Sequence, residues 1–258
     1  MSENRLYLQE RLHQIMALVE EEGRVSVAEL AERFGVSAVT IRSDLATLEE
    51  GGHLVRTHGG AMARGAAGTV PAFSLRQTVN AAEKGRIGRA AASLVHDGEA
   101  IILDDSTTAW QVARHLKDHH ELTVVTNSLY IALEFVDTPG VTVVMTGGTL
   151  RPVSASLVGD QGDCLLEGYH VQKGFFGVRG LTLEAGLTDP DQYGAEMKRR
   201  MVERSREVIV IADASKWNRI SFAAFATLDQ VDRIITDERA PADLVRALRD
   251  RGIQVTLV

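Results

Sequence analysis

Residues 25–60 read VSVAELAERFGVSAVTIRSDLATLEEGGHLVRTHGG, and their spacing sets the architecture of the front of the chain. Ser26 with Glu29 three residues later is a capping box: the hydroxyl accepts from the Glu29 amide while the carboxylate reaches back to the Ser26 amide. Val27, Leu30, Ala31 and Phe34 follow at i, i+3, i+4 and i+7, one apolar stripe of a short helix. Gly35 stands where a helix needs a left-handed residue to stop. Ser37 can cap a second helix that runs to about Glu50 and ends at Gly51-Gly52. So short a connection makes the two helices cross steeply.

The second helix has a readable inside and outside. Ile41, Leu45 and Leu48 share a narrow arc facing a core, while Val39, Ser43 and Ala46 point the other way, flanked by Thr40, Arg42 and Thr47. Small and hydroxyl side chains there let the backbone sit deep in a groove, and Arg42 can reach a guanine edge or a phosphate. A third helix precedes the pair, with Leu12, Ile15, Met16 and Val19 on one stripe. After it, Leu54-Val55-Arg56-Thr57 and Ala61-Met62-Ala63 bracket His58-Gly59-Gly60 as strand, turn and strand. The expectation is a winged helix-turn-helix, with DNA contacts from Ser26, Ser37, Val39, Thr40, Arg42, Ser43 and Thr47, and from Arg56, His58, Gly59 and Gly60 in the wing.

Any two capped amphipathic helices joined by a glycine turn give this pattern, so periodicity alone leaves DNA binding open. Charge does not decide it either. Residues 1–64 hold seven Arg and no Lys against ten acidic residues, a net −3, whereas phosphate neutralisation usually asks for a basic domain. Positive surface there has to be local, from Arg42, Arg56 and Arg64 with His53 and His58 nearby.

At 258 residues the chain exceeds one typical domain, and 45% hydrophobic content suffices for ordinary cores. The charged start MSENRLYLQERLHQ lacks a signal-peptide apolar run, and no stretch reaches membrane-spanning length, so a cytoplasmic protein is expected. A single cysteine, Cys164, offers neither a disulfide nor a zinc cluster and reads as a buried apolar residue; no metal or cofactor is expected. The net charge of −7 argues against loose adhesion to nucleic acid or membrane. The small-residue stretch RGAAGTVPA at 64–72 suits a tether. The expected division is a DNA-binding domain at 1–63, a linker at 64–76, and an α/β sensing and oligomerising domain at 77–258.

Beyond the tether, apolar runs at 100–103, 122–125, 141–145, 174–178, 207–211, 233–236 and 253–258 alternate with helical patterns at 108–116, 129–136, 192–205 and 241–251. Short continuous strands alternating with helices predict a mostly parallel sheet covered on both faces. Ligands bind beyond the carboxyl ends of such strands. There the chain places Asp104-Asp105-Ser106-Thr107-Thr108, Thr126-Asn127-Ser128 and Thr146-Gly147-Gly148-Thr149. Hydroxyls and amides at helix starts favour an anion, and paired glycines let backbone approach a ligand. A phosphate or carboxylate bearing several hydroxyls, that is a sugar phosphate, fits this chemistry. Each loop alone also fits ordinary capping and turning; their coincidence at successive strand ends is the signal. No stretch matches a P-loop or dinucleotide fingerprint. With five Lys against 23 Arg, the placement of Lys198 and Lys216 beside such loops stands out as compact charge for an anion.

Both halves resemble the DeoR family of bacterial transcriptional regulators. At the front the likeness rests on Arg11, Ile15 and Val19, the string Ser37-Ala38-Val39-Thr40-Ile41-Arg42-Ser43-Asp44-Leu45, and the wing Arg56-Thr57-His58-Gly59-Gly60. At Ser43 the family commonly carries a basic or amide residue, which implies one fewer DNA contact per subunit. Asp44 sits near the core edge and reads as the structural partner of an arginine. Behind it, LDDSTT, VTNSL, TGGTLRP, FGVRGL, GLT, EMKRRM and ADASKW span residues 103–217. The resemblance implies a second domain similar to ribose-5-phosphate isomerase, with Asp104, Ser106, Thr107, Thr108, Thr126, Asn127, Ser128, Gly147, Gly148, Arg151, Lys198 and Lys216 facing a phosphorylated carbohydrate. Where the family often has Ser-Gly, this chain has Asp105-Ser106, an added carboxylate in the phosphate loop.

The function so implied is a homo-oligomeric repressor, dimer or tetramer, that binds double-stranded operator DNA and is released by a phosphorylated sugar or sugar acid, with no membrane partner. Two alternatives stay open at this point. One is a sugar-phosphate isomerase or deaminase using Asp104, Asp105, Glu196 or Asp213 as general base. The other is a DNA-bound scaffold whose second domain binds nothing.

Overall fold

The computed structural model describes residues 8–22, 24–50, 53–57, 59–63, 73–159 and 166–258. His58, Arg64 and Cys164, which carried expectations above, lie outside them. Contacts divide the chain into two compact units, Met1–Val79 and Asn80–Val258.

In the first unit, helices α1 (Leu8–Glu22), α2 (Val27–Phe34) and α3 (Ala38–Glu50) pack around Ile15, Met16, Val19, Leu30, Ile41, Leu45 and Leu48. These are the positions the 3.6-residue stripes mark out. Gly35 ends α2 in the left-handed conformation at φ +61°, so the chain reverses within a few residues and α3 starts at once. Strands β2 (Leu54–Thr57) and β3 (Gly60–Ala63) form the wing, and β1 (Arg24–Ser26) adds a third antiparallel strand in the order β1-β3-β2. Strand β1 carried no signal of its own: three residues are too short for alternation to show. Gly60 belongs to β3 rather than to the turn, because its Cα faces Ser26 so closely that a Cβ would lie 1.9 Å from the Val25 carbonyl oxygen. A helical turn α4 (Phe73–Arg76) packs Leu75 on this same core.

The second unit is built on a seven-stranded, wholly parallel sheet. Its strands are β4 (Ala100–Leu103), β5 (Leu122–Thr126), β6 (Val141–Met145), β9 (Val171–Phe176), β12 (Ser205–Ile211), β14 (Arg233–Thr236) and β15 (Gln254–Leu257). They lie in the order β15-β14-β12-β9-β4-β5-β6. Alternate side chains divide between two layers. Ile101, Leu103, Val124, Phe175, Ile209, Ile211 and Ile235 meet Ile87 and Ala91 of α5 (Ala81–Ala92) and Ala109 and Val112 of α6 (Thr107–Ala113). Ile102, Val125, Phe176, Val208, Val210 and Ile234 meet Met197 and Met201 of α8 (Gln192–Glu203), and Val245 and Leu248 of α9 (Ala242–Asp250). Each such buried side chain contributes about 1.5–3 kcal/mol, which is why continuous apolar runs specify strands covered on both sides. Helix α7 (Leu129–Glu134) joins β5 to β6.

Two additions interrupt the alternation: a hairpin of β7 (Thr149–Arg151) and β8 (Ser156–Val158), and a three-stranded antiparallel sheet of β10 (Gly180–Thr182), β11 (Gly186–Asp189) and β13 (Ala223–Ala226). One strand differs from the apolar run at 174–178. The ladder spans Val171–Phe176, including the polar pair Gln172-Lys173 and stopping where the Gly177 amide leaves it for the Asp104 carboxylate. The four expected helices all form but stop one to three residues short.

Candidate nucleic-acid interface and effector crevice

The outward face of α3 is shaped by what its inward face must do. Ile41, Leu45 and Leu48 are buried, so the 100° step leaves Val39, Arg42, Ser43 and Thr47 exposed, Val39 at 73%. Ser37 caps the helix, accepting from the Thr40 amide at 3.1 Å and pairing hydroxyls with Thr40 at 2.9 Å. Thr47 donates to the Ser43 carbonyl at 3.1 Å. Ser26 completes the expected capping box on α2, with 3.2 and 3.0 Å bonds to Glu29. In the wing, Arg56 is exposed and lies 3.9 Å from Glu49, while Gly59 accepts from the Val27 amide at 2.8 Å.

A buried ion pair fixes the tilt of α3. Arg11 of α1 donates to both Asp44 oxygens, at 2.6 and 3.1 Å, and both side chains are nearly sealed. Asp44 is therefore the structural partner expected from its place on the helix. A bidentate guanidinium–carboxylate pair imposes direction as well as attraction.

In the second unit the chain order of the sheet reverses between β4 and β9: β4 leads outward to β5 and β6, and β9 leads the other way to β12, β14 and β15. Neighbouring crossovers diverge at such a point and open a crevice at the carboxyl ends. Asp104 and Gly177 end these two strands. The Asp104 carboxylate accepts from the Gly177 amide at 2.9 Å and from the Ser106 amide at 3.0 Å. Gly177 has no room for a side chain, since a Cβ would lie 2.3 Å from that of Ser106. Ser106 caps α6, and Thr107 and Thr108 are buried in its first turn.

Beneath this junction lies Lys198 from α8, 5% exposed. Its ammonium donates to the Gly177 carbonyl at 2.8 Å and to Asp189 at 2.6 Å, and sits 3.1 Å from Asp104. It also lies over the Phe225 ring, 5.3 Å from the centroid. Burial alone would lower Lys198, but the Asp104 and Asp189 charges outweigh it and raise the ammonium well above the usual lysine range. Burial pushes Asp104 upward against the pull of Lys198. With one cation among these carboxylates, the ammonium keeps its proton. Lys198 is thus spent on holding the crevice together.

Three further groups line the same edge. At the end of β5, Thr126, Asn127 and Ser128 are buried: Thr126 accepts from the Ser128 amide at 3.1 Å, and the Asn127 amide group donates to the Leu157 carbonyl at 3.2 Å. Gly147 and Gly148, after β6, take φ of +73° and +109°, and Arg151 pairs with Asp191, the cap of α8. At the ends of β12 and β14, Asp213 accepts from Asn80 at 2.9 Å and from the Ser215 amide at 3.0 Å. Burial would raise Asp213, but Lys216, Lys84 and Ser215 hold it below the ordinary carboxylate range. Asp237 next to it accepts from the Ala214 amide and from Arg239.

All twelve effector candidates named from sequence thus belong to strand ends or to the elements that close over them. Asp104, Ser106 and Lys198 interlock at the switch point, Asn127 and Ser128 adjoin the hairpin, and Lys216 lies with Asp213 on the far side. Sequence reading passed over Asn80, Lys84, Asp189 and Gly177. Lys84 was findable, being one of only five lysines, and a lysine 4% exposed needs carboxylates to face it.

Comparison with known proteins agrees. Residues 11–64 match the DeoR-like helix-turn-helix domain, and residues 79–238 match the DeoR C-terminal sensor domain. A putative aga operon transcriptional repressor of Escherichia coli O157:H7 is 38% identical, covering 96% of this chain and 93% of that protein. The glycerol-3-phosphate regulon repressor of Escherichia coli K12 is 31% identical, covering 96% and 98%. Among solved structures, a ribose 5-phosphate isomerase from Methanocaldococcus jannaschii superposes over 54% of this chain and 55% of its own, with TM-score 0.40 and 18% identity. Over nearly its whole length, the chain belongs to the DeoR family of transcriptional regulators.

Proposed function

We propose that the protein represses a carbohydrate-utilisation operon by placing α3 in the major groove of its operator, and that a phosphorylated sugar or sugar acid bound in the second unit releases it. In this reading residues 1–63 read DNA, 64–76 tether and 77–258 sense and assemble. The carrying observation is the face of α3: its core side is locked by Ile41, Leu45, Leu48 and the Arg11–Asp44 pair, and its outer side offers Val39, Arg42, Ser43 and Thr47. A single recognition helix reads only a few base pairs, so two copies on a near-palindromic site, about one DNA turn apart, supply the affinity.

The effector side rests on the polar loops at the switch point, and on a relative whose name carries glycerol 3-phosphate. Lys216 provides the cationic side of the pocket, and the Thr126–Ser128 and Gly147–Gly148 loops provide hydroxyls and backbone amides. Three of the four carboxylates that an isomerase could use as base have partners: Asp104 two amides and Lys198, Asp213 the Asn80 and Ser215 donors, and Glu196 the Arg199 and Arg200 side chains; Asp105 is the fourth. This supports a sensor rather than a catalyst.

The effector acts by linkage: it weakens operator binding by no more than its preference for the released arrangement. Gel-shift titration against the upstream region of the protein's own operon, with a panel of phosphorylated sugars, tests both halves. Arg42→Ala should lose operator binding and keep effector-induced thermal stabilisation; Lys216→Ala should bind operator and ignore the effector. Turnover of an aldose or ketose phosphate by the purified protein would overturn the sensor reading.

A further inference from the structure

The residues best suited to grip a hydroxylated anion are the ones solvent cannot reach. Thr126 and Ser128 are fully buried, Asn127 is 3% exposed, and Ser154 and Ser156 on the hairpin above them are also sealed. The β7–β8 hairpin covers them. Ser128 bridges to Ser156, the Leu129 amide donates to the Ala155 carbonyl at 2.9 Å, and the Leu157 amide donates to the Asn127 carbonyl at 2.8 Å. On its far side the hairpin is tied by Arg151 to Asp191 at the start of α8, a contact one-third exposed on the arginine side. It therefore spans from the end of β5 to the helix that carries Lys198, across the switch-point crevice.

Both bases of this strap are left-handed glycines, Gly147 and Gly148 before it and Gly159 after it at φ +111°. Glycine there can absorb a large backbone rotation that other residues resist. Beneath the strap, the side-chain oxygen of Asn127 is buried with no hydrogen-bond partner. A buried acceptor without a donor is costly, and a ligand hydroxyl is a donor that suits it. Leu150 and Val153 stay exposed on the outer side.

We propose that the β7–β8 hairpin is the gate of the effector crevice, hinged at Gly147–Gly148 and Gly159 and latched through Asn127, and that the Asn127 oxygen selects ligands offering a hydroxyl donor. The selection rests on the effector reading above; the gate does not. Opening precedes entry, and closing over a bound polyol gives the Asn127 oxygen a hydroxyl donor.

Hydrogen exchange by mass spectrometry on the full-length protein tests the gate without any ligand. Peptides carrying the Leu129 and Leu157 amides should exchange at least a hundredfold faster than those of β5. Equal protection overturns the gate. A cross-link then tests the coupling. Ser128 and Ser156 oppose each other between two flanking hydrogen bonds, the close pairing of an antiparallel bridge at about 4.5 Å between Cα atoms, within disulfide reach. Ser128→Cys/Ser156→Cys in a Cys164→Ser background is titrated, oxidised and reduced, with glycerol 3-phosphate, ribose 5-phosphate and fructose 6-phosphate, reading thermal shift. The reduced form, which lacks the Ser128 hydroxyl, sets the reference response, and the oxidised form should respond at least tenfold more weakly than it. An oxidised form that binds as well as the reduced one overturns the gate. A Cys164→Ser protein indifferent to all three probes counts against the effector reading, while the exchange comparison still decides the gate.

Discussion

Replacing Lys198 with Met keeps the side chain's length and removes its charge. In the native protein that ammonium satisfies Asp104, Asp189 and the Gly177 carbonyl within 3.1 Å, with 6% of the side chain exposed, so water screens the loss very little. Removing one partner from a buried ion cluster typically costs about 3–5 kcal/mol, because the opposite charge stays in the interior uncompensated. That is roughly a hundred- to several-thousand-fold in the folding equilibrium. Both tryptophans, Trp110 and Trp217, lie in the second unit, so urea unfolding followed by tryptophan fluorescence reports this unit selectively. The pH dependence carries the sharper test. Without the cation, nothing offsets the burial that pushes the Asp104 carboxyl upward in the folded state. The penalty is then complete at neutral pH and shrinks as acid protonates Asp104. Adding Asp189→Asn to Lys198→Met should recover part of the loss at pH 7. A single variant within about 1 kcal/mol of the parent at pH 7, or one whose deficit ignores pH, would refute the ion-cluster account.

Three further outcomes are expected. Arg11→Met leaves Asp44 buried and unpaired, destabilising the first unit by about 3–5 kcal/mol and weakening operator binding without touching α3; circular-dichroism melts and gel shifts read the two effects. Gly177→Ala forces a methyl against Ser106 and should destabilise the second unit by about 1–3 kcal/mol, with loss of effector-induced stabilisation; unchanged unfolding would mean the two loops are not locked together. Asp213 has a depressed folded-state value, so its contribution is present above the unfolded carboxylate value and disappears as pH falls through the folded one. Asp213→Asn should therefore unfold more easily at pH 7 and show a shallower acid limb in a pH series of urea melts.

Much of this architecture was legible because single residues commit the chain locally. Ser26 and Glu29 start α2, Gly35 ends it, and the apolar stripe from Ile41 to Leu48 orients α3 without outside help. The seven parallel strands were readable because both of their faces are apolar. Strands β1, β7, β8, β10, β11 and β13 were not, since their three or four residues lack the run of β-branched apolar side chains that marks the parallel strands. A different limit governs the crevice. Strand ends and their hydroxyl loops announce themselves, but pairing Lys198 with Asp104, 94 positions apart, needs the strand order. For that reason Lys198 looked like a ligand contact in the sequence and sits in the structure as an internal brace.

Helix α3 presents a single cation, Arg42, within residues 1–64 of net charge −3. A reader so sparsely charged gains little from counterion release on arbitrary duplex, so random chromosomal sequence retains few copies. Weak attraction to arbitrary duplex favours a search by three-dimensional encounters over long one-dimensional slides, and the expected dependence of operator affinity on ionic strength is shallow. Shape and apolar fit at the cognate site must supply the discrimination that bulk charge supplies in more basic proteins.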